Sequence, residues 1–256
     1  MRSQPLTIGQ LNQIVKDRVQ SQGHSIIASL NLHGIYLFHY DAGVRSFYGL
    51  SDYIHVDGMP ILFWARLLGY PVTRDQRVTF VDWVMPLVKE AWLNGWRIFY
   101  LGSKPGVAKR GADILRERFE GLEILTSHGY FDISAYSKEN QQVLSAINDY
   151  KPNILMVGMG MPRQEYWILN NFMSVNANVF LNCGACMDYI AGVVRTPPRW
   201  TGRLGLEGFC RLLWEPRRFW RRCLWEPWFL LRPMVQDIRD RHVASSGVRP
   251  DGSDIP

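Results

Sequence analysis

Apolar residues along this chain follow two alternating rhythms. After Thr7, the residues Leu11, Ile14, Val15 and Val19 recur at helical spacing, which predicts an amphipathic helix to about Gln20 opened by a capping box between Thr7 and Gln10. Ser25–Leu30 is then a short apolar run of strand length, as are Trp96–Leu101, Leu122–Thr126, Asn153–Met159 and Asn178–Leu181. Helix-like stretches lie at Met59–Leu68, Val81–Asn94, Val107–Phe119 and Ser137–Tyr150, and one further helix and a short strand lead to His55. This alternation through short connections predicts an α/β, Rossmann-like fold, a mainly parallel sheet covered by helices on both faces.

In such a sheet ligands bind beyond the carboxyl ends of the strands, so polar residues placed there are the first candidates for chemistry. The stretch Lys151–Glu165, KPNILMVGMGMPRQE, reads as a strand, a glycine turn at Gly158 and Gly160, and a helix start at Pro162 with Gln164 and Glu165 close behind. Unpaired N–H groups and the positive end of the helix dipole suit a phosphate there, and glycine lets the main chain approach it closely. G-x-G-x-P is shorter than the dinucleotide fingerprint, so a ligand-binding turn and a merely tight turn both stay open. Gly102-Ser103-Lys104-Pro105-Gly106 is a second glycine turn ahead of a helix. Ser29 and Asn31 end the first strand, where they either meet a ligand or cap the next helix. Asp57 is likewise either the cap of the helix from Met59 or a working acid or base, and Arg77, before Thr79, either neutralises a phosphate or lies on the surface.

Composition adds one feature to this picture. With 256 residues and 47% of them hydrophobic, the chain builds a full α/β core with an appendage. Residues 195–241 hold eleven arginines, no lysine and five acids, which accounts for the whole net charge of +6. Five of the ten tryptophans (Trp200, Trp214, Trp220, Trp225 and Trp228) interleave with those arginines, and Pro216, Pro227 and Pro233 are expected to cut the segment into short helices. Arginine with tryptophan suits an anionic membrane surface, although single-stranded RNA and plain packing on the domain compete. Arg211, Arg218 and Arg221 share one face if the helical path continues through Pro216. The apolar residues among them, from Leu212 to Leu231, favour lipid over nucleic acid. Boundaries are expected at 194/195 and near 242, with residues 243–256 disordered.

Cys183 and Cys186 have the spacing of redox and zinc sites, but Cys210 and Cys223 have no nearby histidine to complete a zinc set, so small buried cysteines are the favoured reading. The N-terminus lacks the apolar core of a signal peptide and no stretch reaches the ~18 apolar residues of a spanning helix, which leads to the expectation of a cytoplasmic protein.

These blocks, in this order, resemble the bacterial glycosyltransferases of family 26, which build enterobacterial common antigen, the wall teichoic acid linkage unit and certain exopolysaccharides. The match runs from about Ser25 to Leu231 through S-L-N at 29–31, V-D-G at 56–58, R-V-T at 77–79, L-G-S-K-P-G-V at 101–107, G-Y-F-D at 129–132 and the 151–165 stretch. It continues through G-A-C-M-D-Y-I-A-G at 184–192, P-P-R-W, L-G-L-E and R-L-L-W-E-P-R-R at 211–218.

The resemblance implies inverting transfer of a sugar from a UDP-sugar to an undecaprenyl-diphosphate-linked saccharide, without a required metal ion or other cofactor. It also implies a peripheral place on the cytoplasmic face of the inner membrane. Residues 1–194 become the UDP-sugar-binding catalytic domain, and residues 195–242 an appendage that meets the membrane and covers the site. Asp57 matches the general base, Asn31 the asparagine beside it and Arg77 an active-site arginine. Ser29, Thr79, Gly102, Gly158, Gly160, Gln164, Glu165 and Asp188 match substrate-binding positions, and Arg211, Arg218 and Arg221 the appendage arginines. Ser29 stands where many relatives have Thr, and Phe80 where they often have Gly. The stretches S-L-N-L-H-G-I-Y-L-F and T-P-P-R-W look closest to the xanthan-type branch, which implies UDP-glucose. An N-acetylmannosaminyl or N-acetylmannosaminuronosyl transferase is the alternative, and a non-catalytic nucleotide- or RNA-binding module the alternative from another class. No nucleic-acid partner is expected on the leading reading, and a homo-oligomer is left open.

Overall fold

The computed structural model describes residues 3–195, 201 and 207–245. Helix α1 (Ile8–Gln20) starts at the expected capping box: Thr7 accepts from Gln10 N, and the Gln10 side chain returns to the Thr7 N–H at 2.9 Å. Strand β1 (Ser25–Leu30) follows at the expected bounds. Two helices then stand where the sequence suggested one, α2 (Leu32–Tyr40) and α3 (Ala42–Leu50). Asp41 makes the break, since its backbone is extended and its carboxylate accepts from Val44 N at 2.9 Å, capping the second helix as the first ends.

The chain continues as β2 (Tyr53–Val56), α4 (Met59–Leu67), α5 (Phe80–Leu93), β3 (Ile98–Gly102), α6 (Val107–Arg118) and β4 (Ile124–Ser127). After these come α7 (Lys138–Tyr150), β5 (Ile154–Gly158), α8 (Arg163–Asn171), β6 (Val179–Asn182) and the short α9 (Cys186–Ile190). The six strands form one parallel sheet in the order β2-β1-β6-β5-β3-β4. Most strand residues are buried because both faces are covered, which is why the strands read as apolar runs without alternation.

Successive residues of a strand serve opposite cores. Ile27 joins Leu11, Trp83, Leu87 and Met187 under α1, α5 and α9. Ile26, Ala28 and Leu30 join Phe47, Leu62, Ile147 and Trp167 on the other face. The indole of Trp167 is fully buried and donates to Asn140 Oδ1 at 2.8 Å, so its one polar atom is satisfied.

The C-terminal segment contains α10 (Glu207–Trp214), α11 (Pro216–Trp220), a π-helical turn (Arg221–Trp225) and α12 (Glu226–Ser245). Pro216 occupies the first position of α11, and Glu215 before it leaves the helical region at φ −131°, ψ 64°. The helical path therefore does not run through Pro216, and the common face expected for Arg211, Arg218 and Arg221 is not formed by one continuous helix. Pro233 lies inside α12 and does not end it. α12 packs on α2, where Glu226 receives His33 Nδ1 at 2.8 Å and Leu230 is buried. Helix continues to Ser245, past the expected boundary near 242; residues 246–256, and residues 196–200 just after the expected boundary at 194/195, lie outside the described residues. No described helix is long and apolar enough to cross a membrane.

His55 is fully buried on β2, edge-on to Trp83, and neither ring nitrogen has a hydrogen-bond partner. Burial lowers its pKa from 6.5 to about 4, with the Val78 backbone offsetting this in part. The unfolded chain therefore binds the proton first, and the stability present above pH 6.5 is lost as pH falls toward 4. Urea unfolding should show about 2 kcal/mol lost between pH 7 and pH 5 from this group. His55→Leu should remove that component, and an identical pH dependence in the variant would show that His55 is not its source.

Candidate active site

The carboxyl ends of the strands open into two adjoining cavities of about 300 and 690 Å³. The smaller is lined by Ser29 and Asn31 at the end of β1, Asp57 after β2, Thr79 before α5, Gly160 and Gln164 before and within α8, and Asn182–Cys186 from the end of β6 onward. Its roof comes from the C-terminal segment: Glu215, Phe219 and Arg222. The larger extends past Gly158, Ser103, Lys104 and Tyr130 to Asp188, Tyr189 and Arg195, with Leu213, Trp214 and Glu215 above.

The floor is main chain packed on main chain. A Cβ on Gly158 would lie 2.3 Å from Tyr100 Oη and 2.4 Å from Gly184 O, and a Cβ on Gly102 would lie 2.3 Å from Gly158 O. Gly160 has φ +79°, in the region that favours glycine. Gly102 lies beneath the cavities and lines neither of them, so its part is the close approach of β3 to β5.

Side-chain amides strap the strand ends together. Asn182 Oδ1 accepts from Ser29 N at 2.7 Å, and its Nδ2 donates to Glu165 Oε1 at 2.9 Å. Gln164 Nε2 donates to the same carboxylate oxygen at 2.8 Å, while Gln164 Oε1 accepts from Gly160 N and Gly184 N, each at 3.2 Å. Glu165 is fully buried below the cavities, its Oε2 has no hydrogen-bond partner, and burial raises its pKa. The Ser29 hydroxyl, placed by this network, donates to Asp57 Oδ2 at 3.3 Å. Asp188, across the larger cavity, accepts from Ser103 Oγ at 3.0 Å, and Ser103 in turn bonds Tyr100 Oη at 2.9 Å.

Two residues at the strand ends serve both a helix cap and the cavity. Asn31 caps α2, accepting from Gly34 N at 3.0 Å, and also lines the smaller cavity. Thr79 caps α5 through Asp82 N at 3.2 Å and lines the same cavity. Asp57 does not take the cap position left open for it: Gly58, at φ 146°, is the N-cap of α4 and no side chain caps that helix. Asp57 faces the cavity.

The arginines are arranged differently from expectation. Arg77 lines neither cavity, since Glu207 of α10 holds its guanidinium at 2.8 Å and Asp82 lies at 3.8 Å, which makes it a tie between domain and appendage. Arg221 is exposed and lies over the Trp220 ring at 5.5 Å; its neighbour Arg222 lines the cavity. The π-helical turn inserts an extra residue and rotates the register, which no residue spacing signals. The side chains of Arg211 and Arg218 lie outside the described residues. Asn182, Tyr130, Glu215 and Arg222 were not singled out from the sequence; Asn182 was findable as the polar end of an apolar strand.

All four cysteines are free. Cys183 is buried, and burial pushes its thiol well up, as suits a small core residue. Among the described residues no group of three or more His, Cys, Asp or Glu side chains converges as a metal site.

A family model described as "Glycosyl transferase WecG/TagA/CpsF family" matches residues 1–243. The chain belongs to this family. Curated relatives include the N-acetylglucosaminyldiphosphoundecaprenol N-acetyl-beta-D-mannosaminyltransferases of Staphylococcus aureus strains MW2 and NCTC 8325, each 26% identical over 171 residues. The alignment covers 67% of this chain and 65% of each relative's length.

The strap through Asn182 is expected to matter for stability as well as geometry. Asn182→Ala leaves the Ser29 N–H without its acceptor and removes a donor from Glu165. Urea unfolding should therefore show a loss of roughly 2–3 kcal/mol. A variant as stable as the wild type would mean the strap is dispensable.

Proposed function

We propose that this protein is an inverting glycosyltransferase that moves a sugar from a UDP-sugar to an undecaprenyl-diphosphate-linked acceptor. The observation that carries the reading is the placement of the Asp57 carboxylate, oriented by Ser29, in a small cavity that opens directly into a larger one roofed by the appendage. The acceptor hydroxyl lies against Asp57 in the smaller cavity, and the nucleotide fills the larger, between Tyr130, Lys104 and Trp214. As the acceptor oxygen attacks the anomeric carbon, its proton passes to Asp57 and the C1–O bond to the diphosphate breaks on the opposite side, inverting the centre. Negative charge grows on the departing UDP. Cationic side chains and the glycine-turn N–H groups meet it, with Arg222, Lys104 and Arg195 as the cations at hand.

The relatives' printed activity, transfer of N-acetylmannosamine to N-acetylglucosaminyldiphosphoundecaprenol, favours UDP-N-acetylmannosamine over the UDP-glucose suggested by the xanthan-like stretches. A lipid acceptor places the protein at a membrane surface without spanning it. The exposed Trp220, Trp225, Trp228 and Leu224 of the C-terminal segment support peripheral attachment on the cytoplasmic face, where anionic lipid attracts arginine. The transfer asks for no resident metal in this scheme.

UDP release from a panel of UDP-sugars, with and without a polyprenyl-diphosphate-linked N-acetylglucosamine, tests the reading. Acceptor-dependent release from UDP-N-acetylmannosamine is expected, and Asp57→Asn should lower it by ~10²–10⁴-fold. Unchanged turnover in Asp57→Asn would remove the general-base assignment.

A further inference from the structure

Six described residues line both cavities and so form the neck between them: Met159, Gly160, Ala185, Tyr189, Val194 and Glu215. Only Glu215 among them is charged. It sits at the bend that Pro216 imposes between α10 and α11, with backbone φ −131°, ψ 64°, so the fold fixes this carboxylate over the neck and not on a helix face. The cations lie to either side, Lys104 and Arg195 in the larger cavity and Arg222 in the smaller. Asp57 lines the small cavity and Asp188 the large one.

In any transfer between these cavities the reacting sugar occupies the neck, because its anomeric carbon is joined to the nucleotide diphosphate on one side and attacked from the Asp57 side on the other. We infer that Glu215 is a specificity-determining residue that makes the site take a neutral hexose or N-acetylhexosamine donor and reject a hexuronic acid donor. The inference rests on the transferase reading above. A carboxylate only accepts hydrogen bonds, so it suits the hydroxyls and amide N–H of a neutral sugar. A sugar carboxylate placed beside Glu215, with Asp57 and Asp188 lining the adjoining cavities, meets like charge. Rejection by a repulsive group is a recognised route to specificity, and here it uses a residue that takes no part in the proton transfer.

The test compares kcat/KM for UDP-N-acetylmannosamine and UDP-N-acetylmannosaminuronic acid, in the full-length wild type and in Glu215→Gln, with the same lipid-linked acceptor. The wild type should favour the neutral donor by at least ~10²-fold, and Glu215→Gln should narrow that ratio by roughly tenfold or more, chiefly through better use of the uronate. Glu215→Asp, which keeps the charge, should retain the preference, and a thermal melt of each variant separates specificity from folding. A wild type that uses the two donors equally, or a Glu215→Gln variant that lowers both in proportion, overturns the inference while leaving the transferase reading intact. No acceptor-dependent turnover of any UDP-sugar by the wild type would instead overturn the transferase reading itself, and the inference with it.

Discussion

The close approach of β3, β5 and β6 at their carboxyl ends is the constraint on which the site depends. Gly102 and Gly158 face each other with no room for a Cβ, and Gly158 is pressed equally closely by Tyr100 and by the carbonyl of Gly184. Any side chain at these positions would push the strands apart, and the floor shared by the two cavities would go with them. A parallel sheet supplies the direction, since all its strands deliver their ends to one side. Glycine supplies the proximity.

On that floor, polarity is organised from below and charge from above. Asn182 and Gln164 share one oxygen of Glu165 and between them hold Ser29, Gly160 and Gly184, so the end of β1 and two turns are set by one buried cluster. Such a cluster is expensive to leave half made, which is why it fixes geometry well. The cations and Glu215 come largely from the C-terminal segment, which is tied down at Arg77–Glu207 and at His33–Glu226. The α/β domain thus presents Asp57, and the C-terminal segment completes the walls and the charge balance around the strand-end cavities.

Local signals in the chain proved dependable where a single residue's chemistry decides the backbone. Thr7 caps the helix that follows it, as its capping box with Gln10 signals, and the strand from Ser25 to Leu30 was legible because a short run buried on both faces has few other solutions. Asp41 was overlooked as a break between two helices because Asp also sits tolerably on a helix surface. Pro233 was read as a stop, yet α12 passes through it with Leu230 buried one turn earlier. Packing there outweighs the lost hydrogen bond.

What the sequence by itself determined is the alternation of elements, hence the parallel sheet, and therefore the strand-end location of Ser29, Asn31, Asp57, Gly158 and Gly160. These follow from hydrophobic period and chain punctuation, both of which are local. Only the tertiary structure decided that Asp57 faces a cavity instead of capping α4, that Arg77 serves the appendage, and that Arg222 and Glu215 enter the site. Those outcomes depend on a π-helical turn, a proline bend and the docking of a segment more than 150 residues from Asp57 in the chain. No spacing within the sequence encodes the rotation that such docking imposes on each side chain.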